Sequence, residues 1–318
     1  MLFGIAGLVG AELVCRALGN ASFLGNSRYL SVSDAYGPSK GNLPLASAVS
    51  LGVRVFTDRY GFRVPPRFRD PKPADAPALL VLGDSVAFGS GVEEEKTFSG
   101  RLRASLPSTR IYNSAVIGYG TNDYRNVVVH FLPDHSEVRT LCLVLCLNDV
   151  RQRQTPPERS TNPAPPAPRG EPRALTTRLD SFFRGNSELY VLLKSELTDP
   201  QERYWRLAAS AYTSDGLETK LQPIAEIAEI SRLLGARFFV VIAPYEFQLR
   251  TDEAEIAAPQ NTLIDYFETY GIAYADARPV FRRVGLPSYE LFLPGNPMHF
   301  SEAGHEVIHE IILATLNR

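Results

Sequence analysis

Ser85 closes the tripeptide Gly83-Asp84-Ser85, directly after the apolar run Ala78-Leu79-Leu80-Val81-Leu82. A short apolar run ending in this way reads as a buried strand that delivers a hydroxyl to a turn. In open α/β sheets, ligands bind just beyond the carboxyl ends of strands. The chemistry on offer is nucleophilic attack by serine; the plainer reading of Gly-Asp-Ser is ordinary turn chemistry. A serine hydroxyl is a weak nucleophile and needs an adjacent base. The tetrahedral intermediate of acyl transfer also needs donors aimed at its oxyanion. Those parts must come from elsewhere in the chain.

The chain has five histidines. His130 falls in a helical pattern, and His135 enters a strand at its amino end, the wrong edge of a parallel sheet. His305 and His309 sit in the last helical pattern. His299 lies in Gly295-Asn296-Pro297-Met298-His299-Phe300-Ser301, a loop able to carry an imidazole over the strand ends. It is the expected base, with Ser85 Oγ and His299 Nε2 about 2.6–3.2 Å apart. The expected oxyanion donors are the backbone N–H groups of Ser85 and Gly118 and the side-chain amide of Asn148, which closes another strand. Gly120 is an alternative to Gly118. Tyr245 and Gln248 follow a fourth strand on the same edge and are expected substrate contacts; the plainer reading gives them no role.

The elements that must position these residues follow from periodicity. Apolar strand patterns at 78–83, 109–114, 139–147, 237–243 and 272–275 alternate with helical patterns at about 97–106, through Phe131, 174–196, 218–234, 252–270 and 301–316. Such alternation predicts an α/β fold, with a parallel sheet of about five strands covered by helices on both faces. Residues 21–77 read as an irregular extension with one or two short strands. Residues 151–172 hold seven prolines and read as an exposed insertion.

Length and charge narrow the function. At 318 residues and a net charge of −2, the chain shows no electrostatic footprint for nucleic acid. Three cysteines make no disulfide framework. Cys142 and Cys146 would lie roughly 13 Å apart along one strand, beyond the ~7 Å limit for a bridge. Within residues 1–20, Met1 to Ala11 is apolar before Glu12 and Arg16. That is short of the ~20 residues that span a bilayer. Two readings stand: the tail of a membrane anchor, which would hold the domain outside the cytoplasm, or a buried amphipathic helix.

Four landmarks occur in one order: Gly83-Asp84-Ser85, Asn113-Ser-Ala-Val-Ile-Gly118, Cys146-Leu147-Asn148-Asp149 and Asn296-Pro-Met-His299. Together they resemble the motifs of the SGNH (GDSL-type) hydrolase family, over roughly residues 78–318. The lead-in Tyr60-Gly61-Phe62-Arg63 and the apolar amino terminus are similar to a membrane-anchored bacterial subgroup. The resemblance implies a flavodoxin-like three-layer sandwich and a serine esterase or acyltransferase with no metal or cofactor. Its substrate would be an acylated small molecule or glycan, such as an acetylated surface glycan. Two positions depart from the family pattern: Cys146 replaces a glycine, and Asn296 replaces the aspartate that orients the histidine. In a serine protease that second exchange costs about 10⁴ in turnover, chiefly through the wrong tautomer. Asn296 is nonetheless the expected third member, with Glu302 the nearest substitute carboxylate. The alternative function is a weakened or non-catalytic member that binds glycan in the same cleft.

One competing motif remains. His305-Glu-Val-Ile-His309 matches the His-Glu-x-x-His zinc signature, and spacing four puts both rings on one helix face. A zinc site needs a third protein ligand, and only Glu310 follows as an acid. The plainer reading is a core stripe of Val307, Ile308, Ile311 and Ile312, with the histidines on the flank or solvent side.

Overall fold

The computed structural model describes residues 2–17, 31–73, 75–150 and 199–318, with scattered positions between 179 and 197. The proline-rich stretch 151–172 lies outside the described residues, as does much of the helix expected at 174–196. The strands are β1 Ser31–Tyr36, β2 Ser39–Asn42, β3 Ser47–Ser50, β4 Val53–Thr57, β5 Arg63–Val64, β6 Ala78–Gly83, β7 Arg110–Asn113, β8 Val138–Cys146, β9 Arg237–Ala243 and β10 Ala273–Asp276. The helices are α1 Leu2–Ala17, α2 Ser85–Phe88, α3 Phe98–Ser105, α4 Thr121–Phe131, α5 Pro200–Ala209, α6 Leu217–Leu233, α7 Ala254–Thr269, α8 Arg278–Arg283 and α9 Glu302–Leu316.

The five expected parallel strands form, in the order β7-β6-β8-β9-β10. This is the flavodoxin-like order, in which the connections reverse direction between the first and third strands, here β6 and β8. β6 lies between β7 and β8, and all six of its residues are buried. Its unbroken apolar run is what a strand covered on both faces requires. Right-handed crossovers place the β6–β7 helix on one face and the later crossover helices on the other. The observed packing agrees, with α3 against α9 and α4 against α6.

Residues 31–64 differ from the expected irregular extension. β1 and β2 pair as an antiparallel ribbon. β5, β4 and β3 add three antiparallel strands beyond β7, so the sheet has eight strands. These strands are two to five residues long. That is too short to carry an alternation a reader of sequence could detect.

α1 is a 16-residue helix whose Leu8, Val9, Leu13 and Val14 are more than half exposed. The buried-helix reading of this segment is therefore not met. Among the described residues, no helix is long and apolar enough to cross a membrane. Cys142 and Cys146 are free and buried in β8.

Candidate active site

β6 and β8 end side by side at the switch point, and each end delivers a functional group. After β6 the chain turns at Gly83, whose φ is 153°. A Cβ there would approach the Ala87 Cβ to 2.3 Å and the Val144 carbonyl to 2.9 Å, so only glycine lets α2 start this close to β8. Asp84 caps α2, its Oδ1 accepting from the Val86 N–H at 2.8 Å. Ser85 is the first residue of the helix and is half-buried.

The loop before α9 brings His299 over this turn. Ser85 Oγ lies 2.8 Å from His299 Nε2, and His299 Nδ1 lies 2.9 Å from Asn296 Oδ1. Asn296 Oδ1 also accepts the backbone N–H groups of Met298 at 3.2 Å and His299 at 3.0 Å. Those two amides decide which end of the side chain faces the ring, because an NH₂ group could not accept from them. With the oxygen there, Nδ1 carries the proton and Nε2 presents its lone pair to the serine. The neutral asparagine thus avoids the wrong tautomer that disables the same exchange elsewhere. Burial pushes the His299 imidazole below its ordinary value of 6.5, against the opposing pull of the Asp84 carboxylate. Glu302 takes no part; its carboxylate is exposed and pairs with Lys96 Nζ at 2.8 Å.

Asn148 stands one residue beyond the Leu147 that follows β8. Its Nδ2 donates to Asp84 Oδ2 at 3.2 Å, and its Oδ1 accepts from the Tyr245 hydroxyl at 3.3 Å. Both ends of the amide are therefore oriented. Cys146 fits where the family pattern has glycine: its side chain is buried, and its N–H donates to Asp149 Oδ2 at 2.8 Å. Burial, and then the neighbouring Asp84 carboxylate, push the Asp149 carboxyl well above the usual carboxylate range. Asp84 Oδ2 is also 3.3 Å from Ser85 Oγ.

Gly118 has a φ of 80°, a conformation that favours glycine, and is half-buried in the loop after β7. The N–H of Gly120, the alternative candidate, is bonded to Asp123 Oδ2 at 3.0 Å. Tyr245 and Gln248, the other residues expected on this edge, both turn inward. Tyr245 is buried and its hydroxyl holds Asn148. Gln248 is fully buried, with its Nε2 donating to the Ile256 carbonyl at 2.8 Å and to Gln260 Oε1 at 2.6 Å.

The His-Glu-x-x-His residues do not assemble. His305 is buried rather than flanking the core, its Nδ1 accepting from the Phe98 N–H at 3.4 Å. Its imidazole is pushed down to about 3, first by burial. His309 Nε2 instead meets Ser105 Oγ at 2.9 Å. Among the described residues, no group of three His, Cys, Asp or Glu side chains could hold a metal ion.

Two contributors were missed in the sequence. One is Asp84, which touches both Ser85 and Asn148. The other is Arg63, which is fully buried and donates to the carbonyls of Phe88, Gly89 and Val92, just after the turn that carries Ser85. A signal for Asp84 existed: it adjoins Ser85 at one strand end, as Asp149 adjoins Asn148 at the other. For Arg63, no signal links it to that turn.

Among curated proteins, none matches the chain. Solved structures with which it shares overall similarity include TesA, at 15% identity, covering 75% of this chain and 97% of that one with a TM-score of 0.44. A G-D-S-L family lipolytic protein from Veillonella parvula DSM 2008 is 13% identical, with coverages of 76% and 100% and a TM-score of 0.44. A catalytic mutant of Axe2, an acetylxylan esterase from Geobacillus stearothermophilus, is 13% identical, with coverages of 76% and 94% and a TM-score of 0.46. The model of the GDSL-like Lipase/Acylhydrolase family matches residues 81–307, which take in the end of β6, all of β8 and the loop that carries His299, and the chain belongs to that family.

Proposed function

We propose that this chain is a serine esterase or acyltransferase acting on an O-acyl group, with acetyl on a surface glycan as its preferred substrate class. The observation that carries the reading is the continuous relay from Ser85 Oγ through His299 to Asn296 Oδ1. In this reading the Ser85 oxygen attacks the acyl carbonyl as its proton passes to His299 Nε2. The Ser85 and Gly118 N–H groups and the Asn148 amide stabilise the oxyanion, each donor being worth about 10²–10³ in rate. Collapse breaks the ester C–O bond, and the leaving alkoxide takes the proton from Nε2. Water or a sugar hydroxyl then gives its proton to Nε2 and attacks the acyl-serine, releasing Ser85. The route as written uses no metal or cofactor.

The test is labelling with a serine-directed fluorophosphonate, together with acetate release from acetylated sugars. One adduct, mapped to Ser85 by mass spectrometry, is the expected result. Absence of both labelling and acetate release in the folded protein would reject the reading.

A second reading, a glycan binder with a weakened site, rests on the neutral Asn296. Asn296→Asp separates the two. A carboxylate beside His299 shifts such a group by roughly 1–3 pKa units, so turnover is expected to rise by about ten- to a thousandfold. The sign for pH follows. The wild-type imidazole lies below 6.5, so activity persists below that pH and falls only as His299 protonates. The variant raises the imidazole value and moves the acid limb of kcat/KM to higher pH. An inactive wild type together with a highly active variant would favour the binding reading.

A further inference from the structure

The added strands β3–β5 build a second concavity. Residues 45–47 and 56–60, several side chains between Val64 and Lys72, and Arg110, Ile111 and Tyr112 line a space of about 700 Å³, within the range of small-molecule sites. Ile111 pairs with Leu79, and four strand residues, about 13 Å, separate Leu79 from Gly83. The cavity therefore lies toward the opposite end of the sheet from Ser85. Most of its wall precedes residue 81, where the family match begins.

Its charges are unbalanced. Arg59, Arg67, Lys72 and Arg110 line it against only two acids, Asp58 and Asp70. Both acids are already engaged. Asp58 Oδ1 accepts the N–H groups of Tyr60 at 2.8 Å and Phe62 at 2.9 Å. Asp70 pairs with the Arg110 guanidinium and lies 3.9 Å from Lys72 Nζ. Arg59 and Arg67 are exposed, and neither forms an ion pair among the described residues. Arg59 lies over the Tyr60 ring, 4.8 Å from its centroid. Half-buried Phe56 and Phe68 supply apolar faces between these polar groups.

An alkyl chain filling this space would strand the polar groups away from water, which is costly. A sugar ring instead offers a C–H face to the phenyl rings and hydroxyls to the polar groups, and an anionic substituent answers the two guanidinium groups. We propose that this cavity binds an anionic saccharide, a sugar bearing a carboxylate or a phosphate, with Arg59 and Arg67 on the charge and Phe56 and Phe68 against the ring. The proposal stands independently of the chemistry at Ser85.

Calorimetric titration of the full chain tests it, with trigalacturonate and glucose 6-phosphate as probes. Maltotriose serves as the neutral sugar and inorganic phosphate as the sugarless anion. Saturable binding of a charged sugar is expected, weakening as salt rises, and the sugar that binds tells carboxylate from phosphate. The Arg59→Ser/Arg67→Ser variant should lose about tenfold or more in affinity, the value of one charge-assisted hydrogen bond. Its hydrolysis of a small ester should not change. Failure of both charged sugars to bind, or unchanged affinity in the variant, would overturn the proposal. Equal binding of maltotriose, or of inorganic phosphate and the phosphorylated or carboxylated sugar, would also overturn it.

Discussion

Ser85→Ala is expected to lower kcat for acyl-ester hydrolysis by about 10⁴-fold or more, with little change in stability. The hydroxyl's contacts are His299 Nε2 at 2.8 Å and Asp84 Oδ2 at 3.3 Å, both at a half-buried surface. Its removal opens no cavity in the core. Burial holds His299 neutral, so the variant gains no uncompensated charge. What is lost is the covalent route itself. The oxyanion donors and substrate binding would survive, and in related chemistry such remnants still give about 10³–10⁴ over water. Turnover and melting temperature should be measured together. A variant retaining activity within tenfold of wild type would remove Ser85 from the reaction.

Arg63→Met is expected to destabilise the fold by about 3–5 kcal/mol, a large share of the roughly 5–15 kcal/mol that holds a domain together. Arg63 is fully buried, and burial lowers its guanidinium to about 10, so it remains charged at neutral pH. Its fork serves three carbonyls, including that of Gly89 at 2.6 Å. Its charged end also lies 5.0 Å from the Phe88 ring centroid. Methionine fills much of the volume but leaves those acceptors unpaired, at about 1–3 kcal/mol each. Relief of the buried charge offsets part of the loss. Lysine carries the charge without the fork and should restore less than half of it. Urea midpoints give the answer, and a midpoint equal to wild type would show that the clamp contributes nothing. The same turn follows Ser85, so activity should fall before the variant unfolds globally.

Much of the arrangement was legible because apolar runs mark buried parallel strands strongly. β6, β8 and β9 each carry one, and once their ends share an edge, Ser85 and Asn148 must lie near each other. Asn296 and His299 were legible through a four-residue motif whose spacing sets its own geometry. Gln248 shows where edge reasoning stops: its backbone lies at the correct end of β9, but its side chain turns inward to Gln260. Arg63 shows a different limit. Its acceptors are backbone carbonyls 25–29 positions away, and backbone carbonyls leave no trace in residue types. β3–β5 were missed because each is short, and their place is fixed by pairing onward from β7 rather than by their own pattern.

The β7 strand shows what those short strands also do for the molecule. β7 has only four residues, and on its outer side β5 meets it at Arg63↔Asn113. A shortened chain beginning at Ala78 would leave that side of β7 open, as a template on which strands of another chain could add. The amino-terminal segment therefore also guards solubility. A recombinant fragment cut at Ala78 would lose both the Arg63 clamp and the cover over β7, and would be prone to self-association before it could be assayed.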